Sequence, residues 1–222
     1  MPKTATNEAK LPFKPRMKRE ERRAVIEEAA SRLIAERGYD AASLEDIAAA
    51  AGVSKAVLYD HFASKAELQI SLLSSASDAL MRFVAERLGA AEGGPGERYR
   101  AAIEAFYEFV ETNEFAWRMI FRDPPSDPVV LAACLEMRRN VTLGIAAMMR
   151  TQTEVATRVE AGEPYRLEML AEQLKMAMAG LASWWYEHRE LSREQIVAAH
   201  MELTWLGMER MATGERWSPE SR

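Results

Sequence analysis

The sequence predicts an all-α protein of about nine helices, three short ones in a small N-terminal unit and the rest in a larger helical unit. Three observations carry this. Apolar residues recur at i, i+3, i+4 and i+7 along most of the 222 residues. Ser43, Ser64 and Ser192 are each followed three residues on by Asp46, Glu67 and Gln195, the arrangement in which a hydroxyl and a carboxylate or amide satisfy free amides at a helix start. No stretch alternates apolar and polar residues as a half-buried strand does.

Residues 1–16 combine Lys, Pro and polar residues without a helical period and read as a disordered basic arm. Either it is a plain tail, or Lys10, Lys14 and Arg16 trail along a phosphate backbone or into a minor groove. A first helix spans about 17–37, with Val25, Ile26, Ala29, Ala30, Leu33 and Ile34 on one face and Gly38 ending it. Ser43 opens a second helix with Leu44, Ile47, Ala48 and Ala51 inward. Gly52 suits the left-handed turn after it. Ser54 caps a third helix with Val57, Leu58 and Phe62 inward. Small and polar residues gather at the start of that third helix, as close approach to base edges requires. Two helices joined by so tight a turn predict a helix-turn-helix.

A fourth helix follows at about 65–88 and joins two domains, set at 17–64 and 65–222. Residues 92–96 read as a loop, and a helix follows from about 97 to 112. Asn113 is placed to cap a short helix. Three prolines interrupt the chain between 123 and 128, where Asp127 caps and Pro128 opens a long helix to about 159. Further helices are expected at about 164–188 and from Ser192 to near Gly214.

A hydrophobic content of 48% suffices for a real core, and the single cysteine, Cys134, excludes an internal disulfide and fits a reducing cytoplasm. No apolar run is long enough to span a membrane. The net charge of −5 is uneven: residues 1–23 hold eight Lys or Arg against three Glu, and residues 1–65 twelve bases against ten acids, leaving −7 for the remainder. Positive charge therefore lies beside the helix-turn-helix, where phosphate contact needs it. His61, His188 and His200 fall in no metal-ligand spacing, Cys134 sits in no motif, and residues 92–96 lack the lysine of a phosphate-cradling loop. No catalytic residue, metal site or cofactor is assigned, and no enzyme is expected.

The linked blocks Ala29-Ala30-x-x-Leu33, Gly38-Tyr39, Leu44-x-x-Ile47-Ala48, Ala51-Gly52-Val53-Ser54, Leu58-Tyr59-x-His61-Phe62 and Ser64-Lys65-x-x-Leu68 occur in one order. They resemble the DNA-binding domain of the TetR family of bacterial transcriptional regulators over about residues 22–72. The resemblance implies nine helices, a third helix in the major groove, a homodimer, and Tyr59 against the DNA backbone. The expected DNA-binding set is Ser43, Ser54, Lys55, Ala56, Tyr59, His61 and Lys65. Of these, His61 fits a hydrogen-bonded scaffold role first and a phosphate contact second. Asp60 either accepts from cytosine N4 or, preferably, pairs within the protein.

One short reading helix covers few base pairs, so a palindromic operator and a symmetric dimer are expected. The expected dimer interface holds Leu174, Ala177, Met178, Leu181 and Trp185 against Ile196, Ala199, His200, Leu203 and Leu206, with intrachain packing as the alternative. A hydrophobic or amphipathic effector is expected among Phe106, Phe109, Phe115, Trp117, Phe121, Met137, Met148, Met176, Trp184 and Trp185, residues that otherwise simply fill the core. Residues 121–128 resemble some actinobacterial regulators of lipid metabolism, which implies an acyl-CoA or a fatty acid. The reading is a cytoplasmic, ligand-responsive repressor. Its rivals are an effector-free architectural DNA binder and a helical carrier or enzyme with a vestigial helix-turn-helix.

Overall fold

The computed structural model describes residues 17–122, 125–151, 163 and 165–215. Among them are nine α-helices and no strand, in two compact units that divide between Ala63 and Ser64. The expected basic arm lies outside the described residues.

The first unit contains α1 (Arg19–Arg37), α2 (Leu44–Ala50) and α3 (Lys55–Tyr59). Ile26, Ala30, Ile47, Leu58 and Phe62 are fully buried and form its core. Gly52 joins α2 to α3 at φ +65°, a conformation that an L side chain would strain. There its N–H donates to the Ala49 carbonyl at 3.1 Å, and Val53 N–H donates to Ala48 at 3.0 Å. Two arginines of α1 reach the far end of α3. Arg19 Nη2 donates to the Asp60 carbonyl at 2.8 Å, and the Arg23 guanidinium lies 4.3 Å over the Phe62 ring. Cations at the carbonyl end of a helix offset its dipole, so these contacts help fix the pose of α3.

The second unit contains α4 (Lys65–Ala90), α5 (Pro95–Thr112), α6 (Glu114–Trp117), α7 (Pro128–Arg150), α8 (Arg166–Glu187) and α9 (Arg193–Ala212). The helix α4 packs on both α5 and α7, α5 on α9, and α7 on α8. Leu80, Ile103, Phe106, Tyr107, Phe109, Val110, Trp117, Trp185, Ile196 and Val197 make the main core.

Several boundaries differ from the sequence reading, each for a local reason. Pro95 is the first residue of α5 and not part of a loop, because Gly94 caps the helix and its N–H donates to Glu97 Oε2 at 2.9 Å. Asn113 gives α6 no side-chain cap; its Nδ2 donates to Thr112 Oγ1 at 2.9 Å instead. After α6 the chain widens into a π-helical turn, Arg118–Arg122, whose Ile120 carbonyl accepts from Arg138 Nη2 at 2.9 Å and Nε at 3.2 Å. The helix α7 ends at Arg150, capped by Thr151, and the rest of its expected span lies outside the described residues.

Two polar clusters stitch the second unit together. Tyr99 Oη donates to Thr204 Oγ1 at 2.8 Å, and Thr204 Oγ1 donates to the His200 carbonyl at 2.7 Å. With those protons spent, His200 Nε2 donates to Tyr99 Oη at 3.2 Å, and Nδ1 accepts from Tyr107 Oη at 3.3 Å. The neutral ring is thus satisfied on both sides, and burial pushes its pKa down to about 4. The second cluster is centred on Lys175, which is buried between α7 and α8. Its Nζ donates to Thr142 Oγ1 and Glu172 Oε2, both at 2.7 Å, and to the Arg138 carbonyl at 3.2 Å. Lys175 and the Thr142 hydroxyl together hold the Glu172 carboxyl below its usual range.

Candidate nucleic-acid interface and effector unit

Local capping builds the reading head. Ser43 Oγ accepts from Asp46 N–H at 3.0 Å and donates to its carboxylate at 2.6 Å, which lowers the Asp46 pKa. Ser54 Oγ accepts from Val57 N–H at 3.3 Å and so starts α3. Leu58 and Phe62 are fully buried and anchor the inner side of α3. That fixes Ser54, Lys55, Ala56 and Tyr59 on the exposed side, with Tyr59 44% open to solvent.

One expected contact residue of this unit, His61, does not lie on this face. The His61 ring is only 8% exposed, and its Nδ1 is buried without a partner, so the ring is neither on the open face nor a hydrogen-bonded scaffold at that atom. Burial and the charges of Arg19, Arg22 and Arg23 lower its pKa. Lys65 opens α4 in the second unit and is half-buried. One participant escaped the sequence reading: Glu45, on α2, forms an ion pair with Lys55 Nζ across the turn. The lysine also lies 5.8 Å over the Tyr59 ring. Opposite charges ten positions apart, on the first turns of both helices, are the only sequence signal for the pair.

The two family models that match the chain cover both units. "Bacterial regulatory proteins, tetR family" matches residues 26–72, and "Tetracyclin repressor-like, C-terminal domain" matches residues 95–207. The chain belongs to the TetR family of bacterial transcriptional regulators. It is 33% identical over 195 residues to the HTH-type transcriptional activator FasR of Mycolicibacterium smegmatis, covering 87% of this chain and 85% of that protein. Its fold matches a TetR-like transcriptional regulator from Rhodococcus sp. RHA1 with a TM-score of 0.64 at 23% identity, over 87% of this chain and 99% of that one. It also matches the fatty acid degradation regulator FadR of Bacillus halodurans with a TM-score of 0.63 at 15% identity, over 89% and 97%. The protein is a DNA-binding regulator of this family and not an enzyme.

The residues expected around an effector divide into three groups. Phe106, Phe109, Trp117 and Trp185 are buried together, with Phe121 packed against them and Phe115 half-buried nearby in the chain. Met137 belongs to a separate cluster with Leu73, Val130 and Cys134, and Met148 is half-buried farther along α7. Met176 and Trp184 do not join either group; both point out of the unit, and Trp184 stacks on His188 at 3.8 Å.

The expected dimer set divides between the core and the open surface. Leu174, Trp185, Ile196 and His200 are buried within the chain, and Met178 and Leu181 pack on its core. Of that set, Leu203 at 80% exposure, Leu206 at 59% and Ala199 are open to solvent and Ala177 is half-buried, and Met176 at 58% and Trp184 at 46% are exposed on α8. An open groove between α5 and α9 holds Arg100, Glu104, Glu108, Arg193 and Glu194 over Val197, Ala198 and Met201. It contains none of the residues expected around an effector.

No helix among the described residues is long and apolar enough to cross a membrane. Among them, no three His, Cys, Asp or Glu side chains are grouped to hold a metal.

Proposed function

We propose that this TetR-family protein binds a palindromic operator as a homodimer and that a small apolar or amphipathic effector releases it. The observation that carries the proposal is the apolar face of α8 and α9. Met176, Trp184, Leu203 and Leu206 are large and exposed on two helices that pack on each other. Contiguous apolar surface of this kind marks an interaction site. A second copy placed by a two-fold axis covers it with the same surface and makes a four-helix interface. The same axis supplies the second reading head that specificity needs, with half-sites roughly 34–36 Å apart.

Ser54, Lys55, Ala56 and Tyr59 then meet the major groove and its rims, and Ser43 presents the start of α2 to a phosphate. Two features support an effector inside the second unit. Its aromatic core contains Trp117 Nε1, and α4 contributes Gln69 Oε1; both atoms are buried and lack a hydrogen-bond partner. Such atoms are rare in folded proteins and gain most from a guest that brings the missing donor or acceptor. The side chains packed around Trp117 are apolar, so the guest is mostly apolar too; the FadR protein is named a regulator of fatty acid degradation. Whether DNA occupancy silences or activates depends on where the operator lies, and the FasR relative is named an activator.

Footprinting of the purified protein on the DNA upstream of its own gene tests this reading. A protected palindrome, lost in Tyr59→Ala and weakened by an added fatty acid or acyl-CoA, supports it. Uniform, salt-sensitive coverage without a palindrome, from a protein that sediments as a monomer, overturns it.

A further inference from the structure

The pair between Glu45 and Lys55 has a consequence for how tightly the reading head grips DNA. Lys55 is the first residue of α3, and its ammonium is the cation of the α3 face. In the DNA-free protein this cation already has an acceptor, the Glu45 carboxylate. Both side chains are about half open to solvent, so the contact is neither sealed nor forced by packing. Lys55 Nζ also lies 5.8 Å over the Tyr59 ring, whose face attracts a cation weakly.

We infer that Glu45 is an intramolecular competitor of DNA: Lys55 must give up the Glu45 carboxylate to take a backbone phosphate, and this exchange holds down affinity for DNA of any sequence. A phosphate and a carboxylate offer the ammonium the same chemistry, a charge-assisted acceptor, and one Nζ on one stem cannot sit squarely on both. The pairing depresses the pKa of Glu45 and raises that of Lys55, so both stay charged across the working range of pH. Because the competition acts on every duplex alike, it lowers binding to random and operator DNA by the same factor and leaves their ratio unchanged.

The inference rests on the reading of the α3 face as the DNA-facing one, and the test separates the two. The full-length protein and its Glu45→Gln, Lys55→Gln and double variants are titrated against a fluorescein-labelled random-sequence duplex by anisotropy across a KCl series. Lys55→Gln should weaken binding and lower the salt slope by roughly 0.9, the loss of one phosphate contact. Glu45→Gln should tighten binding roughly twofold to fivefold at low salt, the range set by an exposed ion pair, and the gain should fade as salt rises. In the Lys55→Gln background the same change should gain nothing. An equal gain with and without Lys55 would show plain charge repulsion and overturn the competition. No gain from Glu45→Gln overturns it as well. If Lys55→Gln leaves affinity and slope untouched, the α3 face itself is misread and the inference goes with it. Circular dichroism confirms that each variant is folded, and Glu45→Ala replaces Glu45→Gln if the latter is not.

Discussion

Acidification should destabilise the second unit through His200. In the folded protein the neutral ring sits between Tyr99 and Tyr107, and its pKa is pushed down to about 4 against 6.5 for the free side chain. A folded-state value below the unfolded one means that the unfolded chain takes up the proton first as pH falls. Stability is therefore full above about pH 6.5, declines between about 6.5 and 4, and levels off below. The gap corresponds to about 3 kcal/mol in total, and to about 2 kcal/mol already at pH 5. All five tryptophans, Trp117, Trp184, Trp185, Trp205 and Trp217, lie after Ala63, so their fluorescence reports the second unit and is blind to His61 in the first.

The assay is urea unfolding at fixed protein concentration, followed by tryptophan emission at pH 7, 6 and 5, for the wild type and His200→Gln. With a urea slope of about 2 kcal/mol/M, the wild-type midpoint should drop by about 1 M between pH 7 and pH 5. His200→Gln should start lower, because the amide fits the tyrosine pair less well, but should lose far less over the same interval. Glu172 and Glu194 are held below the ordinary carboxylate range, and both are present in the wild type and the variant, so they cancel in the comparison. Parallel decline of the two proteins would refute the account, since the acid sensitivity would then come from other groups.

Other consequences follow from the same contacts. Glu172→Gln leaves the buried Lys175 ammonium without its counter-charge and should lose roughly 2 kcal/mol, less than for a fully buried pair because Glu172 is half-exposed, whereas Lys175→Met should be nearly neutral; equal losses in urea unfolding would contradict this. Phe62→Ala removes a fully buried ring from under the Arg23 guanidinium and should destabilise the reading head by roughly 3–5 kcal/mol, seen as an early thermal transition by circular dichroism; an unchanged melt would contradict it. Leu203→Glu sets a charge on the open face of α9, twice over in a symmetric pair, and should convert the protein to monomer in sedimentation velocity with its helical content intact; a persistent dimer would place the contact elsewhere.

What the sequence disclosed and what it hid divide along the range of the interactions. Ser43, Ser54, Ser64, Asp127 and Ser192 each accept from an amide two or three residues away, so the starts of α2, α3, α4, α7 and α9 are written locally and were read correctly. The π-helical turn at Arg118–Arg122 is held by Arg138, across a proline-rich break, and no local pattern announces it. The pairing of Glu45 with Lys55 is hidden for the same reason, since it needs the angle that Gly52 imposes between two helices.

The phase of α8 and α9 is legible only in part: Ala199, Leu203 and Leu206 are open as expected, whereas Leu174, Ile196 and His200 turn inward. Both helices are apolar on nearly every side, so their period does not say which side faces the home core. Polar contacts decide it. On α9, His200 and Thr204 bond to Tyr99 of α5, and His200 to Tyr107 as well. With that side turned inward, Ile196 and Val197 follow it into the core, and Ala199, Leu203 and Leu206 are left on the open arc. On α8, Lys175 turns toward Thr142 of α7 and takes Leu174 and Ala171 inward, which leaves Met176 outside. A helix that is apolar all round needs two apolar neighbours. The buried histidine and lysine pick the first neighbour from within the chain, and what remains open on α8 and α9 is the surface proposed above for a second copy.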